Sequence, residues 1–387
     1  LIGQRDKDGN VIALAKSAWD PPIDGADLTL TLDNSVQWIV EKALDDAIAK
    51  QRAAGGTIIV QNPKTGEILA MANRPSFDPN NFDTVKDAHL FDNPAIGSAY
   101  EPGSTFKTLT MSLGLEAGVV TPNTTHNGGP YMVIPGGEKV YNALDVDFGL
   151  ETMTEVLEHS SNLGAMWVAQ LTGEDRYYRG LVAFGLGNPT GVDLQGESAG
   201  ILPLPGEANW TPASFYTNAF GQGLAVTPLQ LVNAVSVLAN GGLLMKPHLV
   251  SNYRDKTGET KIGPTVVHRV LSEATCRTIT EMLTTVMNVT YVKYTVPGYD
   301  IATKSGTAQV PSPNGGYYPD KTIGSLLGYG PSDDPQFAVL VKIDEPQESP
   351  WGETAAGPAY QSIFQQLFML YGIPPTKPIT ATATPSP

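Results

Sequence analysis

Cysteine is nearly absent: Cys276 is the single one in 387 residues. An intrachain disulfide and a cysteine-based zinc site are thereby excluded. The five histidines (89, 126, 159, 248 and 268) form no His-x-x-x-His pair and match no carboxylate spacing of a metal site, so neither a metal nor an organic cofactor is expected. Basic side chains are also scarce, 24 against 39 acidic ones, for a net charge of −15. With no Lys/Arg run, that balance argues against nucleic acid and anionic lipid surfaces as partners. No stretch approaches ~18 consecutive apolar residues, and Leu1-Ile2-Gly3-Gln4-Arg5 is no signal peptide. The chain nevertheless starts inside what reads as structured sequence, so a fragment of a longer protein is expected. Hydrophobic residues make up 41%, and the 40 glycines and 31 prolines stay below the roughly 25–30% of low-complexity chains, so a folded chain with a sizeable core is indicated.

The β-prone run Leu28–Leu32 follows a Pro-Pro break, and residues 1–27 before it read as a connecting segment. From Val36 to Ile48 apolar residues recur at helical spacing, with Gly55-Gly56 as the expected stop. Strands are expected over 57–61 and 67–71, joined by the turn Asn62-Pro63-Lys64-Thr65-Gly66. The middle, about 100–290, is rich in helical patterns such as Thr227–Ala239. Strands return at 300–310, 323–329 and 336–343, and a final helix is predicted over 358–371. The Pro/Thr-rich tail 374–387 reads as linker or disorder. Strands at both ends with helices between imply an α/β fold of the α+β type, its sheet assembled from distant segments and a helical subdomain inserted.

Two motifs fail their context. Gly196-Glu197-Ser198-Ala199-Gly200 has the nucleophile-elbow pattern, but Pro203 and Pro205 follow where the elbow needs a helix, so a turn is expected. Gly185-Leu186-Gly187-Asn188-Pro189 resembles a phosphate loop, yet Pro189 removes a donor such a cradle needs.

Ser104-Thr105-Phe106-Lys107 fares better. Pro102-Gly103 before it and the apolar run after it place Ser104 at a helix N-terminus. Ser104 and Lys107, at i and i+3, then share one helix face, where a lysine with a lowered pKa can serve as base for the hydroxyl. Ser160-Ser161-Asn162 sets polar residues between two apolar helical halves, and on its own reads as a solvated corner. Lys-Ser/Thr-Gly occurs three times. Lys64-Thr65-Gly66 and Lys256-Thr257-Gly258 are polar turns, whereas Lys304-Ser305-Gly306 lies inside a strand pattern that continues through Thr307. There Gly306 lets a backbone or ligand approach closely. Ser305 and Thr307 share one face, and Lys304 faces the other, beneath the site, as a second cation.

Jointly, with spacings of 56 and 144 positions between Ser104, Ser160 and Lys304, these motifs resemble the Ser-x-x-Lys, Ser-x-Asn and Lys-Ser/Thr-Gly set of class B penicillin-binding proteins. The resemblance extends over about 28–373 and includes Tyr100-Glu101-Pro102-Gly103-Ser104, Thr190-Gly191-Val192-Asp193-Leu194 and Gly221-Gln222-Gly223-Leu224-Ala225. It implies an antiparallel sheet sandwiched by helices, with an all-helical subdomain, and a D,D-transpeptidase activity. Ser104 would be the nucleophile, Lys107 the general base and Ser160 a proton relay between Lys107 and Lys304. Asn162 would hold the substrate amide. Ser305, Gly306 and Thr307 would line the carboxylate site, and the N–H groups of Ser104 and Thr307 the oxyanion hole. The implied partners are peptidoglycan stem peptides ending in D-Ala-D-Ala, β-lactam antibiotics and a membrane glycan polymerase, at the extracytoplasmic face of the bacterial membrane. Residues 1–27 would be the remnant of an N-terminal pedestal domain, and the junction at Ala355–Tyr360 is looser than the family pattern. The loop 311–322 is expected at the cleft mouth, gating substrate. A β-lactamase or β-lactam sensor and a non-catalytic scaffold are the alternative functions.

Overall fold

Five segments with β-forming composition assemble into one antiparallel sheet: β1 (Gly55–Gln61), β2 (Ile68–Arg74), β3 (Ala302–Pro311), β4 (Tyr317–Gly330) and β5 (Phe337–Asp344), in the order β3-β4-β5-β1-β2. The computed structural model describes residues 7, 8, 10 and 24–378. Most of the expected 1–27 remnant, and residues 379–387 of the tail, lie outside the described residues. β1 is buried along its whole length, and β5 in all but its last residue, as expected of strands covered on both faces. Helix α1 (Asn34–Gln51) packs on β1 and β2. Further helices include α2 (Lys107–Glu116), α3 (Met153–Glu158), α4 (Asn162–Thr172), α5 (Pro228–Ala239), α6 (Glu273–Val289) and α7 (Gly352–Leu370). α7 packs with α1 and against β4 and β5, while α5 also packs against β1, β4 and β5. All twelve residues of α5 are buried, and its capping box (Thr227 with Gln230) sets its start. The chain between β2 and β3 is thus mainly helical, with short two-stranded ribbons interposed, such as Thr125–Asn127 with Leu150–Thr152. The sheet sandwiched by helices is the expected architecture.

A separate small unit consists of the described residues up to Leu30 with Val250–Ile262. Its three strands, Asp27–Leu30, Val250–Asp255 and Gly258–Lys261, are antiparallel, and Lys256-Thr257-Gly258 forms the predicted turn. No helix among the described residues is long and apolar enough to cross a membrane.

Three local expectations need correction. Helix α1 stops at Arg52, which takes the left-handed conformation (φ 48°), and Gly55-Gly56 already belong to β1. The final helix begins at Gly352, with Pro358 inside it. Proline removes the bond to the carbonyl four residues back, and here that carbonyl, of Thr354, accepts instead from Gln51 Nε2 at 3.5 Å. Finally, β4 starts at Tyr317, so 311–322 is largely the outer end of a hairpin rather than a loop. Pro311 pairs with Tyr317 after a register shift at a residue that has no N–H to give the ladder.

Candidate active site

Ser104 sits in a 3₁₀ turn, Gly103–Phe106, that leads directly into α2. Thr105 Oγ1 donates to Pro102 O at 2.8 Å, which fixes the turn from below. Ser160 is at the corner between α3 and α4, and Ser161 caps α4 by accepting from Gly164 N–H. Ser160-Ser161-Asn162 is thus a helix-to-helix corner as expected, but not a solvated one: Ser161 is fully buried. β3 is the outermost strand of the sheet, so alternate backbone groups along it point off the edge. Ser305 N–H does so, donating to Tyr291 Oη at 3.3 Å. By the same alternation Thr307 N–H points off that edge too.

These distant segments meet in one cleft of about 750 Å³, lined among others by Ser104, Ser160, Asn162, Ser305, Thr307 and Trp351. Lys107 and Lys304 lie beneath its floor, at 1% and 0% exposure. Lys107 Nζ donates to Ser160 O at 2.5 Å, Ser160 Oγ at 3.2 Å and Asn162 Oδ1 at 2.7 Å. Lys304 Nζ donates to Ser160 Oγ at 3.1 Å, Tyr291 Oη at 3.3 Å and Ser305 O at 3.1 Å. Although the Lys304 Cα–Cβ direction is opposite to that of Ser305, the long side chain returns to the same network. Burial holds the Lys107 ammonium well below the usual lysine range, the Lys304 charge adds to that, and the Glu151 carboxylate opposes it. Ser104 Oγ has no hydrogen-bond partner among the described residues and lines the same cleft as Ser160.

Two expected roles are refined. Gly306 makes room for protein rather than substrate: a Cβ there would stand 2.8 Å from Ser325 Oγ, 2.9 Å from Pro102 O and 2.9 Å from Thr105 Cγ2. It docks the nucleophile turn onto β3. Asn162 is engaged at both ends, with Oδ1 on Lys107 and Nδ2 on Tyr141 O at 3.0 Å, leaving one N–H uncommitted.

A model of the penicillin binding protein transpeptidase domain matches residues 56–368. The chain belongs to the penicillin-binding protein transpeptidase family. Class B members of this transpeptidase family stand among its relatives. Stage V sporulation protein D of Bacillus subtilis is 36% identical over 365 residues, covering 93% of this chain and 56% of that protein. Peptidoglycan D,D-transpeptidase FtsI of Escherichia coli is 33% identical over 353 residues, covering 90% and 57%. A crystal structure of penicillin binding protein 3 from Mycobacterium tuberculosis, complexed with aztreonam, superposes with a TM-score of 0.86 at 31% identity, covering 99% of this chain and 90% of that one. The chain spans less than two thirds of the length of these curated relatives.

Within this transpeptidase-family cleft, three residues carry structure that sequence reading missed. Tyr291 bridges Lys304 and Ser305. Asn142 Oδ1 accepts from Asn162 N (2.8 Å), Leu163 N (3.2 Å) and Ser161 Oγ (3.3 Å), so it binds the start of α4. Gly352 N–H donates to Thr307 Oγ1 at 2.9 Å. None has a local pattern that sets it apart; each acts only through the fold.

Proposed function

We propose that this chain carries a serine D,D-transpeptidase site that cross-links peptidoglycan stem peptides ending in D-Ala-D-Ala through an acyl-enzyme on Ser104, and that β-lactams acylate the same serine. The observation that carries this reading is the hydrogen-bonded network joining Lys107, Ser160, Asn162 and Lys304 beneath a cleft that exposes Ser104. Residues 28–373 are read as the catalytic domain. It would act at the extracytoplasmic face, beside a glycan polymerase that supplies the strands.

The hydrogen bonds support the following steps. As an ammonium, Lys107 fills three acceptors; as a neutral amine it keeps two donors and gains a lone pair, and its burial favours that neutral state. Ser104 Oγ attacks the carbonyl carbon of the penultimate D-alanine while its proton passes to Lys107. The oxyanion meets the N–H groups of Ser104 and Thr307, the turn and the sheet edge that flank the cleft. The C–N bond then breaks, and the terminal D-alanine leaves as the amine after receiving the Ser160 proton, which Lys107 replaces along its hydrogen bond to Ser160 Oγ with the proton taken from Ser104, so Lys107 returns to the neutral amine. An acceptor amine attacks the acyl-enzyme and the same groups run in reverse.

Carboxylate recognition follows from donor counting. Tyr291 Oη accepts from Lys304 Nζ and Ser305 N, so its own hydrogen goes to Ser305 Oγ at 2.7 Å. Ser305 O–H is then free to donate, and so is Thr307 O–H, whose oxygen accepts from Gly352 N. Two aimed hydroxyls over the Lys304 charge suit the terminal carboxylate of the substrate.

The test is a donor peptide ending in D-Ala-D-Ala with an amine acceptor. Release of D-alanine together with a new amide, lost in Ser104→Ala, is expected. Hydrolysis without aminolysis, or no release at all, would contradict the reading.

A further inference from the structure

Glu101, three positions before Ser104, is half-buried and engages two segments that flank the cleft. Its Oε1 accepts from Gly223 N at 2.9 Å, and its Oε2 accepts from Tyr317 Oη at 2.9 Å. Gly223 belongs to the loop Gly221-Gln222-Gly223, whereas Tyr317 opens β4 at the outer end of the β3–β4 hairpin. The loop also rests on the nucleophile turn: Gly103 N donates to Gly221 O at 3.1 Å, and a Cβ on Gly221 would stand 2.2 Å from Gly103 O. The hairpin end is held less firmly by its own ladder. After Gln309 the pairing shifts register and continues as Pro311 with Tyr317, at a proline with no N–H to give.

We propose that Glu101 is a positioning residue that ties the hairpin end to the 221–223 loop and thereby limits the bulk of the acyl side chain that the cleft admits. The inference rests on the acyl-transfer reading above. Each tied segment contributes a cleft-lining glutamine, Gln222 from the loop and Gln309 from β3, and Gln222 Nε2 stands 3.5 Å from Gln309 Oε1. Gln309 follows Ser305 and Thr307 on the same face of β3. For a ligand with its carboxylate at those hydroxyls and its carbonyl at Ser104, the glutamine pair is the next wall along the strand.

The bond between the glutamines is long and uncharged, so it holds that wall weakly on its own. The two bonds to the Glu101 carboxylate are shorter and charge-assisted, and they converge on one side chain. With both in place the loop and the hairpin stay together beside the nucleophile turn; with either removed, one of them is released and the wall can give way to a larger group. Glu101 exchanges no proton with the substrate. A purely structural role would slow acylation by every ligand alike, whereas a wall that limits bulk changes the ratio between a bulky ligand and a compact one.

The experiment measures k2/Kd for acylation of Ser104 by benzylpenicillin and by piperacillin, whose acyl side chain carries a further ring, in the intact chain and in Tyr317→Phe, Glu101→Ala and Glu101→Gln. The piperacillin-to-benzylpenicillin ratio should rise by about three- to tenfold in Tyr317→Phe, the range expected for loss of one such hydrogen bond, and further in Glu101→Ala. Glu101→Gln keeps one acceptor oxygen and should fall between wild type and Glu101→Ala. Tyr317 is exposed, so Tyr317→Phe decides alone if the Glu101 variants fail to fold. A ratio unchanged or lower in Tyr317→Phe, or acylation lost there for both compounds alike, would overturn the inference and leave the transpeptidase reading standing. No acylation of the wild-type chain by either compound would overturn both.

Discussion

Ser160 receives Lys107 twice, through its carbonyl oxygen at 2.5 Å and its hydroxyl at 3.2 Å. It does so from the left-handed backbone region, φ 56°, which an L-residue adopts only when its surroundings impose it. The bend turns both oxygens of one residue onto one ammonium, and the hydroxyl also meets Lys304. Removing the hydroxyl alone should leave the lysine anchored by the carbonyl but break the link between the two cations. Ser160→Ala is expected to lower acylation by about 10²–10⁴-fold with little change in melting temperature, measured by penicillin labelling rates and thermal unfolding.

Tyr291→Phe should show how much the donor arrangement at Ser305 matters. The ring stays, but Lys304 and Ser305 N–H lose an acceptor, and Ser305 Oγ loses the donor that left its own hydrogen free. A loss of about 1–3 kcal/mol in transition-state binding is expected, read as kcal-equivalent change in acylation kcat/KM, and it should be larger for substrates that carry the terminal carboxylate.

Gly306→Ala perturbs the site without removing a polar group. The added methyl would press on Pro102 O and Thr105 Cγ2, the underside of the nucleophile turn. Overpacking of this kind costs about 1–3 kcal/mol, so lower stability by denaturant unfolding should accompany loss of labelling at Ser104. Unchanged labelling would show that the turn does not need β3 beneath it.

The buried Lys107 also makes a stability prediction. Its proton affinity is depressed on folding, so below the unfolded value of about 10.4 the unfolded chain binds more protons than the folded one. Stability therefore rises as pH increases from the depressed folded value toward that of the unfolded chain. Chemical denaturation between neutral pH and about 9.5 should show a rise in wild type that flattens in Lys107→Met.

Much of this was legible in the residues. The periodicity of Val36–Ile48 placed α1, the strand pattern around Lys304-Ser305-Gly306 singled out one of three Lys-Ser/Thr-Gly triplets, and Pro203 and Pro205 correctly ruled out an elbow at Ser198. Glu197 instead holds the loop, accepting from Thr190 N at 2.7 Å and Gly191 N at 3.0 Å. What could not be read depends on contacts between distant segments. Pro358 looked like a helix boundary because its compensation comes from Gln51, more than 300 positions away. Tyr291, Asn142 and Gly352 have unremarkable neighbours in sequence and acquire roles only where β3, α4 and the cleft meet. Arg52 ends α1 in a conformation usually given to glycine, so the composition pointed three residues too far.

We propose Ser104 as the sole nucleophile of this cleft. Mass spectrometry after exposure to benzylpenicillin tests it most directly, with peptide mapping of the labelled chain. A mass gain equal to the whole antibiotic is expected, located on the peptide that contains Ser104 and absent from Ser104→Ala. An unlabelled wild-type chain, or a label that persists in Ser104→Ala, would contradict it.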